Sequence, residues 1–477
     1  MYTNPLPRLD ELYHADPSLW TTAAKTFIQT SLANPETVNN LPFYSPFVSD
    51  LTESPFLVKG RVFVTSSSSQ IVTPVYFEKE GIKYPLKLRI SAPCSDEVSF
   101  SSSFESKVSV LAKSTASFET DWFKIRQEEL RQSKRLSCNT DVPCKRGALS
   151  QDFSNQSDCS TLPIDTVELI FSDLIVDLDF SPLLGTFVDF IGIFDLNEPF
   201  KISILNFSTN LPHPLVPLSQ FSLSLPQLTT DLTLPLVLAA CSVNSKICKF
   251  TVEFSNIDDN ILFQLVKYFK SFVPFFHQIK VNTGVLNSPD FFPKLNPESD
   301  TVSSSVLTCP SYSVLLIENE GIELKNLDSV GKGNLEKLFY LISEGILVVD
   351  YPFGSAKVPV KFSTVIASRE GQNPLGSIKF DCKRVLPSVS LDFELMKVLF
   401  VLGFSSFDKN VEIPNEMIKV IEDDFVTLRQ RFRENFNQDL LNIGISLSIL
   451  IAKLMSSESL TRECWSLAVE LVVSTLS

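Results

Sequence analysis

The residues of this chain that are able to do chemistry are few, and their spacing assembles no active site. Glu318 closes an apolar run, Ser-Val-Leu-Leu-Ile at 313–317, and is followed by Asn319. An apolar strand ending in a carboxylate is how nucleotide hydrolases hold magnesium, but that role needs a phosphate-binding loop as its partner. Such a loop is a Gly-rich turn running into Gly-Lys-Ser/Thr. The one Gly-Lys pair is Gly331-Lys332; Gly333 follows it in place of a hydroxyl residue, and Asn326 stands where the first glycine belongs. Glu318 therefore reads as a strand-end carboxylate without catalytic duty.

Other chemistries fare no better. The three histidines are His14, His213 and His277. His213 lies between two prolines and His277 follows Phe275 and Phe276, and no Gly-x-Ser-x-Gly elbow supplies a nucleophile for either. They read as turn and core residues. The nine cysteines (Cys94, Cys138, Cys144, Cys159, Cys241, Cys248, Cys309, Cys382, Cys464) contain no Cys-x-x-Cys pair. Cys138, Cys144 and Cys159 share one polar stretch where a common metal is conceivable, but free thiols are the better reading. The trio Glu422, Asp423 and Asp424 falls on an expected helix, where consecutive side chains diverge, and reads as a solvated face. No catalytic residue, cofactor, metal or small-molecule substrate is expected.

The elements that would position these residues are substantial. The 477 residues exceed one ordinary core, and 44% hydrophobic with only 20% charged residues is a folding composition. Phe is abundant at 39 and Gly scarce at 15, which also disfavours glycine-rich phosphate loops. A net charge of −14 opposes direct duplex DNA binding, which needs clustered Lys and Arg, and suits protein partners. Residues 1–16 carry Pro5, Arg8, Asp10 and Glu11 and are not a signal peptide; the apolar run 440–452 is too short to span a membrane, and the uncharged stretch 202–230 is broken by prolines. No membrane partner is expected.

Along the chain, residues 1–55 form a helical and extended region, with a helix over 16–33 whose Leu19, Ala23, Phe27 and Leu32 fall near helical spacing. Short aromatic and β-branched runs at 56–64, 71–77 and 83–90 begin a barrel, and runs at 165–171 and 185–195 complete it. The barrel spans 56–200, is OB-like with five strands, and is interrupted by a polar insertion at about 95–162. Within that insertion Lys134-Arg135 and Lys145-Arg146 have the form of a split nuclear localisation signal. Acidic residues in its second half favour a structural or protein-binding barrel over a single-strand binder. Residues 201–233 read as a Pro-rich connection. From 234 to 385 strands and helices alternate as in an α/β core with a largely parallel sheet, and 386–477 is helical. The fold class is thus α/β and β.

The run Ile-Lys-Val-Ile-Glu-Asp-Asp-Phe-Val-Thr-Leu-Arg at 418–429, followed by Leu-Thr-Arg-Glu-Cys-Trp at 460–465, closely resembles the end of the MCM complex-binding protein family. Lys-Phe-Thr-Val-Glu-Phe at 249–254, Phe-Phe-Pro-Lys at 291–294, the strand ending in Glu318, and the runs at 341–351 and 365–371 resemble family segments in the family's order. The resemblance covers most of the chain outside the polar insertion. It implies an OB-like part and a degenerate AAA+-like core without nucleotide chemistry. It also implies a nuclear, non-enzymatic partner of the subunits of the MCM replicative helicase, influencing assembly or removal of MCM complexes from chromatin and sister-chromatid cohesion. The alternatives are a residual AAA+-type nucleotide-dependent enzyme, supported by Glu318 alone, and a single-strand-binding OB protein. One departure from the family is expected at 234–240, where a Pro-containing stretch replaces a Leu/Ala-rich helix. Phe425, Leu428 and Trp465 are the candidate partner-binding anchors, with a role in the core as the favoured alternative for all three.

Overall fold

The computed structural model describes residues 5–33, 38, 41–44, 55–66, 68–90, 98–121, 123–124, 166–175, 184–195, 198, 200–209, 233–244, 249–296, 301–303, 305–369, 375–382, 393–405, 410–455, 457–474 and 476. Cys138, Cys144, Cys159, His213, both basic pairs and most of the expected insertion and connection lie outside the described residues.

Among the described residues two helices come first, α1 (Leu6–Ala15) and α2 (Trp20–Ala33). Their inner face is Leu6, Leu9, Tyr13, Trp20, Ala24 and Ile28, packed on Leu57, Leu88, Leu174, Ile193 and Leu205 beneath. The Trp20 indole N–H donates to the Leu9 carbonyl at 2.9 Å and ties the two helices together. Of the four residues noted at helical spacing, Leu19 is 62% exposed, while Phe27 and Leu32 are half-buried at the edge of this core. The two apolar stripes are neighbours on the helix, and the one headed by tryptophan is the more deeply buried.

Among the described residues nine strands follow: β1 (Phe56–Val64), β2 (Ser69–Pro74), β3 (Tyr76–Lys79), β4 (Ile82–Pro85), β5 (Val98–Phe100), β6 (Phe104–Ser114), β7 (Thr166–Ser172), β8 (Phe187–Phe194) and β9 (Lys201–Ser208). Five of them close a barrel in the order β1-β8-β9-β7-β6 and back to β1, consistent with an OB-like barrel. Its inside is filled by alternate residues such as Val58, Val62, Val110, Leu169, Val188 and Ile204. β2 pairs with β6, while β3, β4 and β5 form a small separate sheet.

Two sequence boundaries are corrected here. The insertion expected from residue 95 contains β5 and the longest barrel strand, β6, whose Val108, Val110 and Ala112 point inward between Ser and Lys residues that mask the alternation. The connection expected from residue 201 begins with β9, of which Ile202, Ile204 and Leu205 are buried.

The second half is an α/β unit. It runs through α3 (Thr233–Cys241), β10 (Val252–Ser255), α4 (Asp259–Phe272), β11 (Phe275–Val281), α5 (Thr283–Leu286), β12 (Lys294–Asn296), β13 (Thr301–Ser303), β14 (Ser313–Asn319) and α6 (Ser329–Glu344). It continues with β15 (Ile346–Tyr351), β16 (Gly354–Pro359), β17 (Ser363–Ser368), β18 (Ile378–Asp381), α7 (Phe393–Ser405), α8 (Asn415–Phe432), α9 (Gln438–Leu454) and α10 (Arg462–Ser474). The central sheet has the order β11-β14-β17-β10-β18 with every pairing parallel. β14 shows why its sequence is a continuous apolar run. Val314 and Leu316 enter the core shared with the helical layer, Leu315 and Ile317 the core on the other side, so both faces are buried. A smaller sheet, β13-β12-β15-β16, flanks it.

At 234–240 the expected Pro-containing departure is corrected by the structure, which has a helix there, α3, all nine residues of it buried. Pro235 sits in its first turn, where a missing N–H costs nothing, and burial on every side removes the periodicity that would have marked it as a helix.

Barrel and α/β unit meet in a hydrogen-bonded seam. The Phe276 N–H donates to the Phe118 carbonyl at 2.8 Å and the Thr120 N–H to the Pro274 carbonyl at 3.0 Å. Phe123 and Phe187 pack on Phe275, and the Arg61 guanidinium stacks over Phe123 and Phe187 at 4.9 and 5.5 Å. Gly185 lies in the same seam: its N–H donates to the Val64 carbonyl at 2.7 Å, and its carbonyl accepts from the Ser311 N–H at 2.6 Å.

Candidate functional site

In a parallel sheet the natural site is the crevice at the carboxyl ends of the strands, where the order reverses. Here that point lies between β10 and β17, because β10 leads by way of α4 to the far edge at β11 while β18 lies on its other side. The turn that would cradle a ligand is Asn256, Ile257 and Asp258, without a glycine. Asn256 takes a positive φ of 58°, and its amide donates to the Asp381 carboxylate at 3.0 Å. The Ile257 N–H donates across the crevice to the Ser368 carbonyl at 3.1 Å. Asp258 caps α4, accepting from the Ile261 N–H at 2.7 Å, and Asp259 follows in the first turn, paired with Arg369 at 2.6 Å. The positive end of the helix dipole thus faces two carboxylates of the chain itself.

Glu318 sits at the end of β14 with its side chain 7% exposed. Gln278 donates to it, and Lys280 lies 4.0 Å away. Lys280 bonds Glu320 more closely, at 2.7 Å, and that bond holds the lysine above its ordinary range. The same bond, with a second from Asn282, holds the Glu320 carboxyl below its own. Glu318 and Asn319 end one strand as expected, but the Gly331-Lys332 pair belongs to a different place. Gly331 is in the first turn of α6, bonded to its cap Asp328 at 2.7 Å. A Cβ on Gly331 would stand 2.0 Å from the Asn287 amide oxygen, so this glycine serves close packing.

A second carboxylate of the sheet is fully buried. Glu253 on β10 is 0% exposed, and its Oε2 accepts from the N–H groups of Leu375 and Gly376, both at 2.8 Å, leaving Oε1 without a partner. It ties the chain entering β18 to the first strand of the sheet.

A polar cluster also lies under α1, on the outer side of β6. The Lys107 ammonium donates to the carbonyls of Leu86 and Arg89 at 2.6 and 3.1 Å. Lys87 pairs with Asp173 at 2.7 Å and approaches Glu105 at 3.8 Å, and Arg89 pairs with Asp10 at 2.6 Å. Burial pushes the Glu105 carboxyl up to about 7 and the Lys107 ammonium down to about 8.

The three anchor candidates come together in the helical layer. Trp465 on α10 is 1% exposed, with its indole N–H donating to Asp424 at 2.8 Å. Phe425 and Leu428 on α8 are half-buried against the same core, Phe425 beside Phe436 at 6.0 Å. Asp424 is thus a hydrogen-bond acceptor for Trp465, while Glu422 and Asp423 are exposed. His277 lies half-buried in β11, 5.1 Å from Phe118, and burial lowers its pKa. His14 is exposed and contacts the Lys83 carbonyl at 2.8 Å. Among the described residues no group of three His, Cys, Asp or Glu gathers as a metal site. What sequence reasoning passed over is the turn between β15 and β16, where Phe353 is 98% exposed. Its signal was available: an aromatic beside a proline in a tight turn between two strands.

Comparison with known proteins places these features. Residues 240–382 match the family model described as Mini-chromosome maintenance replisome factor, a span that takes in the last two residues of α3, the whole parallel sheet and the β15–β16 hairpin. The chain is 25% identical over 241 residues to the Mini-chromosome maintenance complex-binding protein of Gallus gallus, covering 46% of this chain and 36% of that one. The Homo sapiens protein of the same name is 25% identical over 240 residues, with the same coverage of 46% and 36%. That of Danio rerio is 24% identical over 240 residues, covering 47% and 37%. The matches therefore span little more than a third of the length of these relatives. Over its α/β unit the chain is thus similar to the mini-chromosome maintenance complex-binding proteins.

Proposed function

We propose that this chain is a non-enzymatic binding partner of the subunits of the MCM helicase, built on a degenerate AAA+-like core. In this reading it acts in the nucleus, where it influences assembly or removal of MCM complexes from chromatin and supports sister-chromatid cohesion. Three things support it. The relatives are named as complex-binding proteins, and the family-model match falls on the α/β unit. The all-parallel sheet with a carboxylate at the end of β14 is what the AAA+ resemblance implies.

The observation that carries the loss of nucleotide chemistry is the turn after β10. A phosphate needs free N–H groups and a positive helix end. Here the Ile257 N–H is bonded to Ser368, the Ile261 N–H is capped by Asp258, and Asp258 and Asp259 put negative charge where a phosphate would sit. Glu318 is already engaged by Gln278 and lies close to Lys280. Titrating the purified chain with Mg-ATP in a calorimeter should give no heat of binding. ATP turnover that disappears on Glu318→Gln would replace this reading with the enzymatic one.

A further inference from the structure

We propose that the β15–β16 hairpin is the anchor by which this chain docks on its protein partner, with Phe353 filling an apolar pocket there and Lys357 meeting a carboxylate at the rim. The inference rests on the MCM-partner reading and deepens it by assigning the surface.

Tyr351 pairs with Gly354 across the hairpin, so the loop is only Pro352 and Phe353. Neither residue has a positive φ, and proline stands at the second position of the turn, where its ring pre-sets the backbone. The hairpin is held from below by the Lys337–Asp350 pair between α6 and β15. The Tyr351 ring lies beside Gly354, which carries no side chain to displace it. Phe353 is therefore presented on a short, braced turn, and little freedom is lost when it is buried.

Its surroundings are those of an interface. Phe353 is 98% exposed, the most exposed large hydrophobic residue among those described. Tyr351, Tyr340 and Phe339 are 39%, 41% and 45% exposed on the adjoining strand and helix. All seven residues from 351 to 357 are exposed, and one of them, Lys357, is charged. Its ammonium sits 4.2 Å over the Tyr340 ring, which fixes where the charge is offered. Aromatic enrichment with few charges marks interface centres rather than ordinary surface. A lone positive charge in a chain of net charge −14 calls for a carboxylate on the partner. The hairpin also lies within the 240–382 span that carries the family match.

The test uses the full-length purified chain and separately purified recombinant MCM subunits, with affinity read by interferometry at fixed salt. Phe353→Ser should weaken binding roughly thirty-fold and Lys357→Glu roughly ten-fold, as expected for a central aromatic anchor and a rim charge. Phe263→Ser, which removes a 69% exposed phenylalanine on α4, should leave the affinity unchanged. Because Phe353 lies in solvent, unchanged urea midpoints of the variants certify their folds. Wild-type affinity in both hairpin variants would overturn the assignment of the surface while leaving the MCM reading intact. No binding by the unsubstituted chain to any subunit would overturn the MCM reading itself, and this proposal with it. Concentration-dependent self-association lost in Phe353→Ser would make the occupant a second copy and overturn the partner proposed here.

Discussion

Replacing Gly185 with alanine should weaken the seam between barrel and α/β unit by about 2–4 kcal/mol. Gly185 has a φ of 80°, and a Cβ placed on it would stand 2.6 Å from the Cys309 carbonyl oxygen. The backbone conformation alone costs an alanine roughly 1–2 kcal/mol. The contact adds to this, because the obstacle is backbone and cannot swing away. Moving either segment stretches the bonds from Ser311, whose N–H and hydroxyl reach the Gly185 carbonyl at 2.6 and 3.0 Å. Losing one such bond costs about 1 kcal/mol. Urea unfolding followed by far-ultraviolet circular dichroism and tryptophan fluorescence checks this. The midpoint should fall, and the two probes should separate if the seam fails before either part unfolds. A Gly185→Ala midpoint within about 0.5 kcal/mol of the parent, with coincident transitions, would refute the argument that the two halves are joined at this point.

Three further outcomes are expected of the same fold. Glu253→Ala removes the acceptor of two buried N–H groups and should cost about 2–4 kcal/mol, read as a lowered thermal midpoint. Trp465→Ala should cost about 3–5 kcal/mol by opening the helical layer, whereas Trp465→Phe, which chiefly loses the bond to Asp424, should cost about 1–2 kcal/mol in urea. The Glu105 carboxyl is raised from its ordinary 4.5 to about 7, so the folded chain holds that proton more tightly than the unfolded one, and its stabilising contribution is lost as pH rises from 4.5 to 7. The Lys107 ammonium is lowered from 10.5 to about 8, so the pair weighs most against the fold between pH 7 and 8 and is relieved as pH climbs toward 10.5. Glu105→Gln should therefore flatten the loss of stability between pH 5 and 7 in a series of melting curves.

How much was legible depended on whether one residue pattern answered to one neighbour. β14 was plain because a parallel strand buried on both faces needs an unbroken apolar run, and Val314 to Ile317 supply one. β1 and β8 were plain through their aromatic and β-branched content. β6 was hidden because its outward Ser and Lys residues outweigh Val108, Val110 and Ala112 in composition, though not in alternation. On α2 the length was readable, but two apolar stripes competed, and the contact with the barrel chose Trp20, Ala24 and Ile28. α3 was unreadable by period, since nothing about it faces water. At the candidate site, the missing phosphate loop was visible in the sequence. The carboxylates at the turn after β10 could not be placed from it, because only the sheet order brings that turn beside Ser368. The Phe353 turn was passed over since connecting residues were read for what they ended rather than what they displayed.

The central claim is that this chain binds MCM subunits without nucleotide chemistry. The most direct test is sedimentation velocity of the purified chain mixed with each purified MCM subunit, with and without ATP. The expected result is a defined complex with at least one subunit that forms equally well in both conditions. No complex with any subunit, or one that forms only while this chain turns over ATP, would contradict the account.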